Sequence, residues 1–166
     1  MRSGQSGSSQ QKGTNMGKRP GQQLVIGQPP TEAAKINPKR KGAVDELLAA
    51  LKGVYCNPEY NQKVFSILGK HICPGKKQTG RHGMSLWAIF VLAQLQLCLG
   101  LSYGNLLNFA NNHHALRCII GVEREFGFER TEFEYQNIYD NVPSLSYEMV
   151  AGLNKVTLGF GHREVF

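Results

Sequence analysis

Two neighbouring stretches of the chain carry side chains that could recognise a nucleic acid. Residues 73–83 (CPGKKQTGRHG) set cations between glycines, so this stretch could follow and neutralise a phosphate backbone. Residues 102–117 supply the amide, hydroxyl, imidazole and guanidinium groups that contact base edges. The candidate DNA-binding residues are therefore Lys76, Lys77, Arg81, His82, Ser102, Tyr103, Asn105, Asn108, Asn112, His113 and Arg117.

The elements that position these side chains follow from the apolar pattern. The stretch from Met84 to Leu99 has no charge, which predicts a buried helix. Gly100 then breaks the chain, and Ser102 is a suitable N-cap for a second helix. In that helix Leu106, Leu107 and Phe109 are expected to face inward, and Asn105, Asn108, Asn111 and Asn112 outward. This succession outlines a helix-turn-helix.

A membrane span is the alternative interpretation of Met84 to Leu99. A span needs about twenty predominantly apolar residues. This stretch has sixteen, includes Gln94 and Gln96, and is followed at once by Gly100 and a polar helix. A helix in a protein core is therefore the preferred prediction, and no membrane partner is expected.

Charge divides the chain into two halves. Residues 1–83 hold fourteen Lys and Arg against four Asp and Glu, whereas residues 84–166 hold five against eight. The basic half is the expected polyanion contact. Residues 1–42 are rich in Gly, Ser, Gln, Lys and Pro and are predicted to form a disordered basic tail. Its NPKRKG run, residues 37–42, could touch phosphates or serve only solubility.

The remaining periodicity is also helical, and strand-like alternation is weak throughout. One helix is expected from Ala43 to about Gly53, and a second from the Asn57 cap to Gly69. A capping box at Thr131 to Glu134 predicts a helix to about Asn141, and Ser144 opens a last one ending near Gly159. The prediction is an all-α, small helical bundle with a helix-turn-helix-like unit. Its parts are the 1–42 tail, a 43–70 helical hairpin, a 71–83 basic linker, an 84–158 DNA-binding and assembly region and a short 159–166 segment.

Catalytic and metal chemistry have weaker support in the sequence. The four cysteines form no CxxC pair, and no apolar stretch follows Arg2, so reduced thiols in an intracellular protein are expected. His114 and Cys118 could join His71 and Cys73 on zinc, but structural sites usually bring ligands in tighter pairs. No nucleophile elbow and no phosphate-binding loop is recognisable. No cofactor, metal or small-molecule substrate is therefore predicted.

The order of several short motifs resembles the N-terminal region of insertion-sequence transposases of the DDE type. That family places a basic GRxG-like approach before an apolar helix, followed by an LSYxxL helix, an LR-hydrophobic-IG stretch, a DN-containing segment and a closing GH pair. The similarity covers about half of the chain. The matching residues are Gly80, Arg81, Gly83, Leu101, Ser102, Tyr103, Leu106, Leu116, Arg117, Ile120, Gly121, Asp140, Asn141, Gly161 and His162.

The resemblance implies a module that binds element ends in double-stranded DNA and helps to assemble the transposition complex, with a homo-oligomer as a further expectation. In the family, chemistry belongs to a downstream core with three carboxylates and two metal ions. This sequence ends before the first of those carboxylates is expected, so residues 159–166 would be the truncated start of that core, and Asp140 precedes it. The expectation is a truncated, non-enzymatic module in the cytoplasm, associated with the nucleoid. A free-standing helix-turn-helix regulator is the alternative.

Overall fold

The computed structural model describes residues 29–36, 42–72, 84–124, 127–145 and 148–156. This described part is all-α, without a strand, as the sequence predicts. Two short 3-10 turns, Thr31–Ala33 and Val142–Ser144, accompany the helices. The α-helices are α1 (Ala43–Cys56), α2 (Pro58–Ile72), α3 (Leu86–Leu99), α4 (Tyr103–Asn112), α5 (His114–Ile119), α6 (Tyr135–Asn141) and α7, residues 148–156.

Helix α3 is the centre of the bundle. It packs against α1, α2, α4 and the Val142–Ser144 turn, and the nine residues from Trp87 to Leu95 are all buried. The Trp87 ring lies 5.1 Å from Tyr55 on α1 and 5.4 Å from Phe90, and its Nε1 donates to the Ile119 carbonyl at 2.8 Å. Burial on every side explains why α3 is apolar all round, where a surface helix would carry a single stripe.

Three details of α3 differ from expectation. Ser85, and not Met84, sets its start, because the Ser85 hydroxyl accepts a hydrogen bond from the Ala88 amide. A buried amide is normally hydrogen-bonded, yet Gln94 is buried and its Nε2 has no partner within the described part of the chain. A free cysteine in an apolar stretch commonly packs as a small hydrophobic side chain, but Cys98 in the last turn of α3 is exposed.

The N-terminal boundary of the folded region was predicted too late. Thr31 is buried, and its hydroxyl is 3.3 Å from the Ile119 carbonyl at the end of α5. Ala34 is buried as well, and its carbonyl accepts a hydrogen bond from Lys52 Nζ on α1 at 3.0 Å. Residues 31–36 therefore belong to the folded domain, with Thr31 and Ala34 packed into it. The rest of the predicted tail, except residues 29, 30 and 42, lies outside the described residues.

Helix boundaries agree with the sequence where a cap decides them. Asn57 Oδ1 accepts from the Glu59 and Tyr60 amides and begins α2 as predicted. Gly53 and Gly69 were expected to end α1 and α2, but both glycines lie inside helices: α1 continues to Cys56 with Val54 and Tyr55 buried, and α2 continues to Ile72. Helix α6 begins after Glu134 and not at Thr131, because the Thr131 carbonyl is held by Arg117. The chain after Asn141 first forms a 3-10 turn, and Met149 and Leu153 of α7 are buried.

The length of α3 bears on the membrane alternative. Fourteen helical residues rise about 21 Å, whereas the hydrocarbon core of a bilayer is about 30 Å thick. Among the described residues, none of the helices combines the length and apolar character that crossing a bilayer requires.

Candidate nucleic-acid interface

A tight three-residue connection joins α3 to α4. Gly100 adopts the left-handed conformation, φ 61°, which suits glycine, and the Gly100 and Leu101 amides both donate to the Gln96 carbonyl. Ser102 follows as the N-cap of α4, with its hydroxyl accepting from the Asn105 amide at 3.3 Å. Ser102, predicted to contact DNA, thus has a local structural role, although the residue itself is exposed.

Helix α4 brings together the three predicted asparagines. Asn105, Asn108 and Asn112 are exposed, whereas Leu106 and Ala110 on the opposite side are buried. Their spacing of three and four residues places the three amides along one face. Asn108 Oδ1 accepts a hydrogen bond from Asn112 Nδ2 at 2.5 Å. The linked pair therefore still offers one amide donor group and one amide oxygen to an external partner.

His113 lies at the junction of α4 and α5. Its Nδ1 accepts from the Leu116 amide at 3.3 Å, which makes it the N-cap of α5, and its ring stacks on Phe109 at 5.6 Å. Nδ1 is thus used inside the fold, and Nε2 is the atom left for an outside contact. This predicted DNA contact follows the exposed asparagines of α4 in the chain, and its ring is half-buried.

Arg117 is not part of the exposed face, and its predicted DNA contact is corrected here. The residue is only 1% exposed. Its Nε donates to Glu123 Oε2 at 2.7 Å, and its terminal nitrogens donate to the carbonyls of Ala110, Val122 and Thr131 at 3.3, 3.1 and 2.9 Å. A guanidinium with four protein acceptors cannot reach a base edge while the domain is folded. Arg117 joins the end of α4, the turn after α5 and the segment before α6.

Asn111 has the same bridging role, although the pattern of the helix predicts that it faces outward. Its Nδ2 donates to the Phe133 carbonyl and its Oδ1 accepts from the Phe133 amide, each at 2.9 Å. The Arg130 guanidinium also donates to the Asn111 carbonyl. The neighbouring Asn108 and Asn112 make no such contact with this segment, and composition alone could not separate the three asparagines.

Tyr103 is half-buried at the start of α4 and belongs to an aromatic group. Its ring meets Tyr139 of α6 edge-on at 5.3 Å, and Tyr139 stacks on Tyr135 at 6.1 Å. The two α6 tyrosines are about half exposed, at 50% and 49%. Tyr103, a predicted DNA contact, therefore lies between the exposed asparagines of α4 and the exposed tyrosines of α6.

The thiol and imidazole of α5 that were considered as zinc ligands, and not preferred, adopt an arrangement that resembles a nucleophile with its base. His114 Nε2 is 3.7 Å from Cys118 Sγ, and His114 Nδ1 is 3.8 Å from Glu123 Oε2. Burial, together with the Glu123 carboxylate, raises the pKa of the Cys118 thiol, so the thiolate form that attacks or binds a metal is disfavoured. The described residues contain no cluster of three or more His, Cys, Asp or Glu that could hold a metal ion.

The predicted phosphate contacts Lys76, Lys77, Arg81 and His82 lie outside the described residues. They precede α3 in the sequence, and α4 itself carries no charged side chain. Neither a protein-family model nor a curated protein nor a solved structure matches this chain.

Proposed function

We propose that this helical domain binds double-stranded DNA and serves as a DNA-binding and assembly module of the transposase kind, without catalytic activity of its own. The observation that carries this proposal is the exposed row of Asn105, Asn108 and Asn112 on α4. Duplex DNA is the proposed partner, and the nucleoid is the proposed location.

The chemistry of that row suits a major groove. The groove is about 12 Å wide and admits one α-helix, and asparagine pairs with the N6 and N7 atoms of adenine. Helix α4, with ten residues, is about 15 Å long. Its inner side is held by Leu106 and Ala110, so the amides can face a groove without loss of packing.

The positive charge that neutralises phosphates must come from outside α4, because α4 has no charged side chain. Lys76, Lys77 and Arg81 are the cations nearest to α3 in sequence, and each neutralised phosphate contributes about −0.9 to the log–log slope of affinity against salt. The basic residues Lys76, Lys77 and Arg81 would therefore set affinity and salt dependence, and the amides of α4 would set sequence preference.

The test measures duplex binding by the full chain against salt, with sequence preference obtained by selection from a randomised duplex library. Replacing Lys76, Lys77 and Arg81 by Ala should reduce the slope by up to about three units. Replacing Asn105, Asn108 and Asn112 by Ala should leave the salt dependence of affinity unchanged and weaken the sequence preference. A matched control replaces Lys63, Lys70 and Lys155, three cations elsewhere on the chain, and should change little. Absence of duplex binding at low salt would refute the proposal.

The DNA sequence preferred in the selection also distinguishes a module of the transposase kind from a free-standing regulator. A module of the transposase kind should prefer sequences found at element ends, whereas a free-standing regulator needs a dimer and a palindromic operator with half-sites about one helical turn apart. Strand transfer is not assigned to this chain. Asp140 is exposed, and its Oδ1 accepts from Gln136 of the same helix at 2.6 Å.

A further inference from the structure

Gly104, the second residue of α4, is a glycine that the packing of the domain does not require. It is exposed, and a Cβ atom added there would meet no described atom within 4 Å. It is also not one of the glycines with a positive φ, which in the described part of the chain are Gly100, Gly121 and Gly127. Glycine in a helix is destabilising relative to alanine, because it loses more conformational freedom on folding. Packing and backbone conformation therefore do not account for a glycine at this position.

Gly104 lies on the flank of α4 that adjoins the exposed asparagines. Successive residues of an α-helix are about 100° apart around the axis, so Gly104 is about 40° from Asn108 and about 80° from Asn112. The inner side of α4, with Leu106 and Ala110, is buried in the domain. When the asparagines point to the floor of a major groove, Gly104 therefore faces one of the two groove walls.

The clearance between a helix and the walls of a major groove is small. An α-helix with its side chains is about 10–12 Å across, and the groove is about 12 Å wide. The walls of the groove are the two sugar–phosphate backbones. Because Gly104 has no side chain, α4 is narrower on this flank, and a backbone can come close to the helix.

We infer that Gly104 is the point at which one sugar–phosphate backbone of the duplex comes closest to α4. This inference rests on the proposed function and adds a steric requirement to it, namely that duplex affinity depends on the absence of a side chain at position 104. Gly104 is thus a positioning residue, which lets Asn105, Asn108 and Asn112 reach the base edges. The asparagines determine which sequence is bound, and Gly104 determines how deeply α4 enters the groove.

The test compares Gly104→Ala and Gly104→Leu with wild type, using the full chain in duplex binding and in urea unfolding. The probe is the duplex that wild type prefers in the selection. Both variants should be at least as stable as wild type, since alanine and leucine favour a helix more than glycine does. Duplex affinity should nevertheless fall about threefold for Gly104→Ala and about tenfold or more for Gly104→Leu, because the added carbons overlap with the groove wall. The salt dependence of affinity should not change, since no charge is removed.

Gly69 provides a matched control on another helix. It is exposed on α2, and a Cβ atom added there would likewise meet no described atom within 4 Å. Gly69→Ala and Gly69→Leu should therefore stabilise the domain as the Gly104 variants do. Both control variants should bind the duplex with the affinity of wild type, because α2 carries none of the proposed DNA contacts.

The possible outcomes separate a failure of this inference from a failure of the proposed function. If wild type does not bind duplex DNA, the proposed function fails and the inference fails with it. If wild type binds and Gly104→Leu binds as tightly, only the inference fails. It also fails if the Gly104 variants unfold at lower urea than wild type, which would give the glycine a structural role. Equal losses of affinity in the Gly69 variants would overturn it as well, because the effect would not be specific to α4.

Discussion

Replacing Arg117 by Ala should destabilise the domain strongly, although the sequence alone makes this residue look like a DNA contact. The change removes donors from the Glu123 carboxylate and from the carbonyls of Ala110, Val122 and Thr131. Glu123 is itself largely buried, with its side chain 17% exposed. Breaking a buried ion pair by removing one partner costs about 3–5 kcal/mol. Domains have only about 5–15 kcal/mol in total, so much of the stability should be lost.

Milder substitutions at Arg117 and Glu123 should reduce the free energy of unfolding by smaller amounts. Arg117→Lys keeps the charge but has one nitrogen where arginine has a planar fork, so it can hold only some of the four acceptors, and about 2–3 kcal/mol should be lost. Glu123→Gln keeps an oxygen that accepts from Nε but leaves the buried guanidinium without its counter-charge, so about 2–3 kcal/mol should be lost. Arg130→Ala is the matched control, since its side chain is 47% exposed and it also donates to a backbone carbonyl. It should cost less than about 1 kcal/mol.

The assay is urea unfolding followed by far-UV circular dichroism, with the free energy of unfolding extrapolated for each variant. Duplex binding is measured in parallel under conditions where the variant is folded. Folded Arg117→Lys should bind DNA as wild type does. The opposite pattern, a loss below about 1 kcal/mol for Arg117→Ala together with a clear loss of duplex affinity, would show that Arg117 contacts DNA and that the structural reasoning is wrong.

Three further predictions concern the core, the alkaline limit and the thiols. Leu95→Asp should cost more than about 4 kcal/mol in urea unfolding, whereas Gln94→Met next to it should gain about 1 kcal/mol by removing an unpaired buried amide. Burial raises the pKa of Tyr55 to about 12 from 10.0, so stability should be complete below pH 10 and fall from there toward pH 12. Tyr55→Phe should remove that fall in a pH series of unfolding midpoints. Mass spectrometry after iodoacetamide should find exposed Cys98 alkylated well before Cys118, whose pKa burial raises.

The parts of the fold that the sequence predicts are those set by local rules. Periodic apolar residues place α1, α2 and α4, and an uncharged apolar stretch places α3. Asn57 and Ser102 cap their helices because an N-cap needs only amides two or three positions ahead. The exposed row on α4 follows from the same periodicity, since burying Leu106 and Ala110 turns Asn105, Asn108 and Asn112 outward.

The parts that the sequence does not predict depend on backbone groups brought together by tertiary packing. The sequence suggests that Arg117 is exposed because three of its acceptors are the backbone carbonyls of Ala110, Val122 and Thr131. Every residue has a backbone carbonyl, so such acceptors cannot be identified from residue types. Thr31 packs on Cys118 and Ile119, which lie 87 and 88 positions further along the chain, and no local pattern indicates such a contact. Thr131 and Glu134 have capping-box spacing, yet Arg117 holds the Thr131 carbonyl and α6 begins three residues later than expected.

The burial of α3 from Trp87 to Leu95 also sets an order of events during synthesis. Helices α1 and α2 leave the ribosome first and can cover one side of α3 as it emerges. Its other side stays uncovered until α4 and the Val142–Ser144 turn have been made, more than forty residues after Leu99. A nascent chain released in that interval would expose an apolar helix of the kind from which aggregates grow. Slow translation after Leu99 should therefore increase the chain's demand for chaperones.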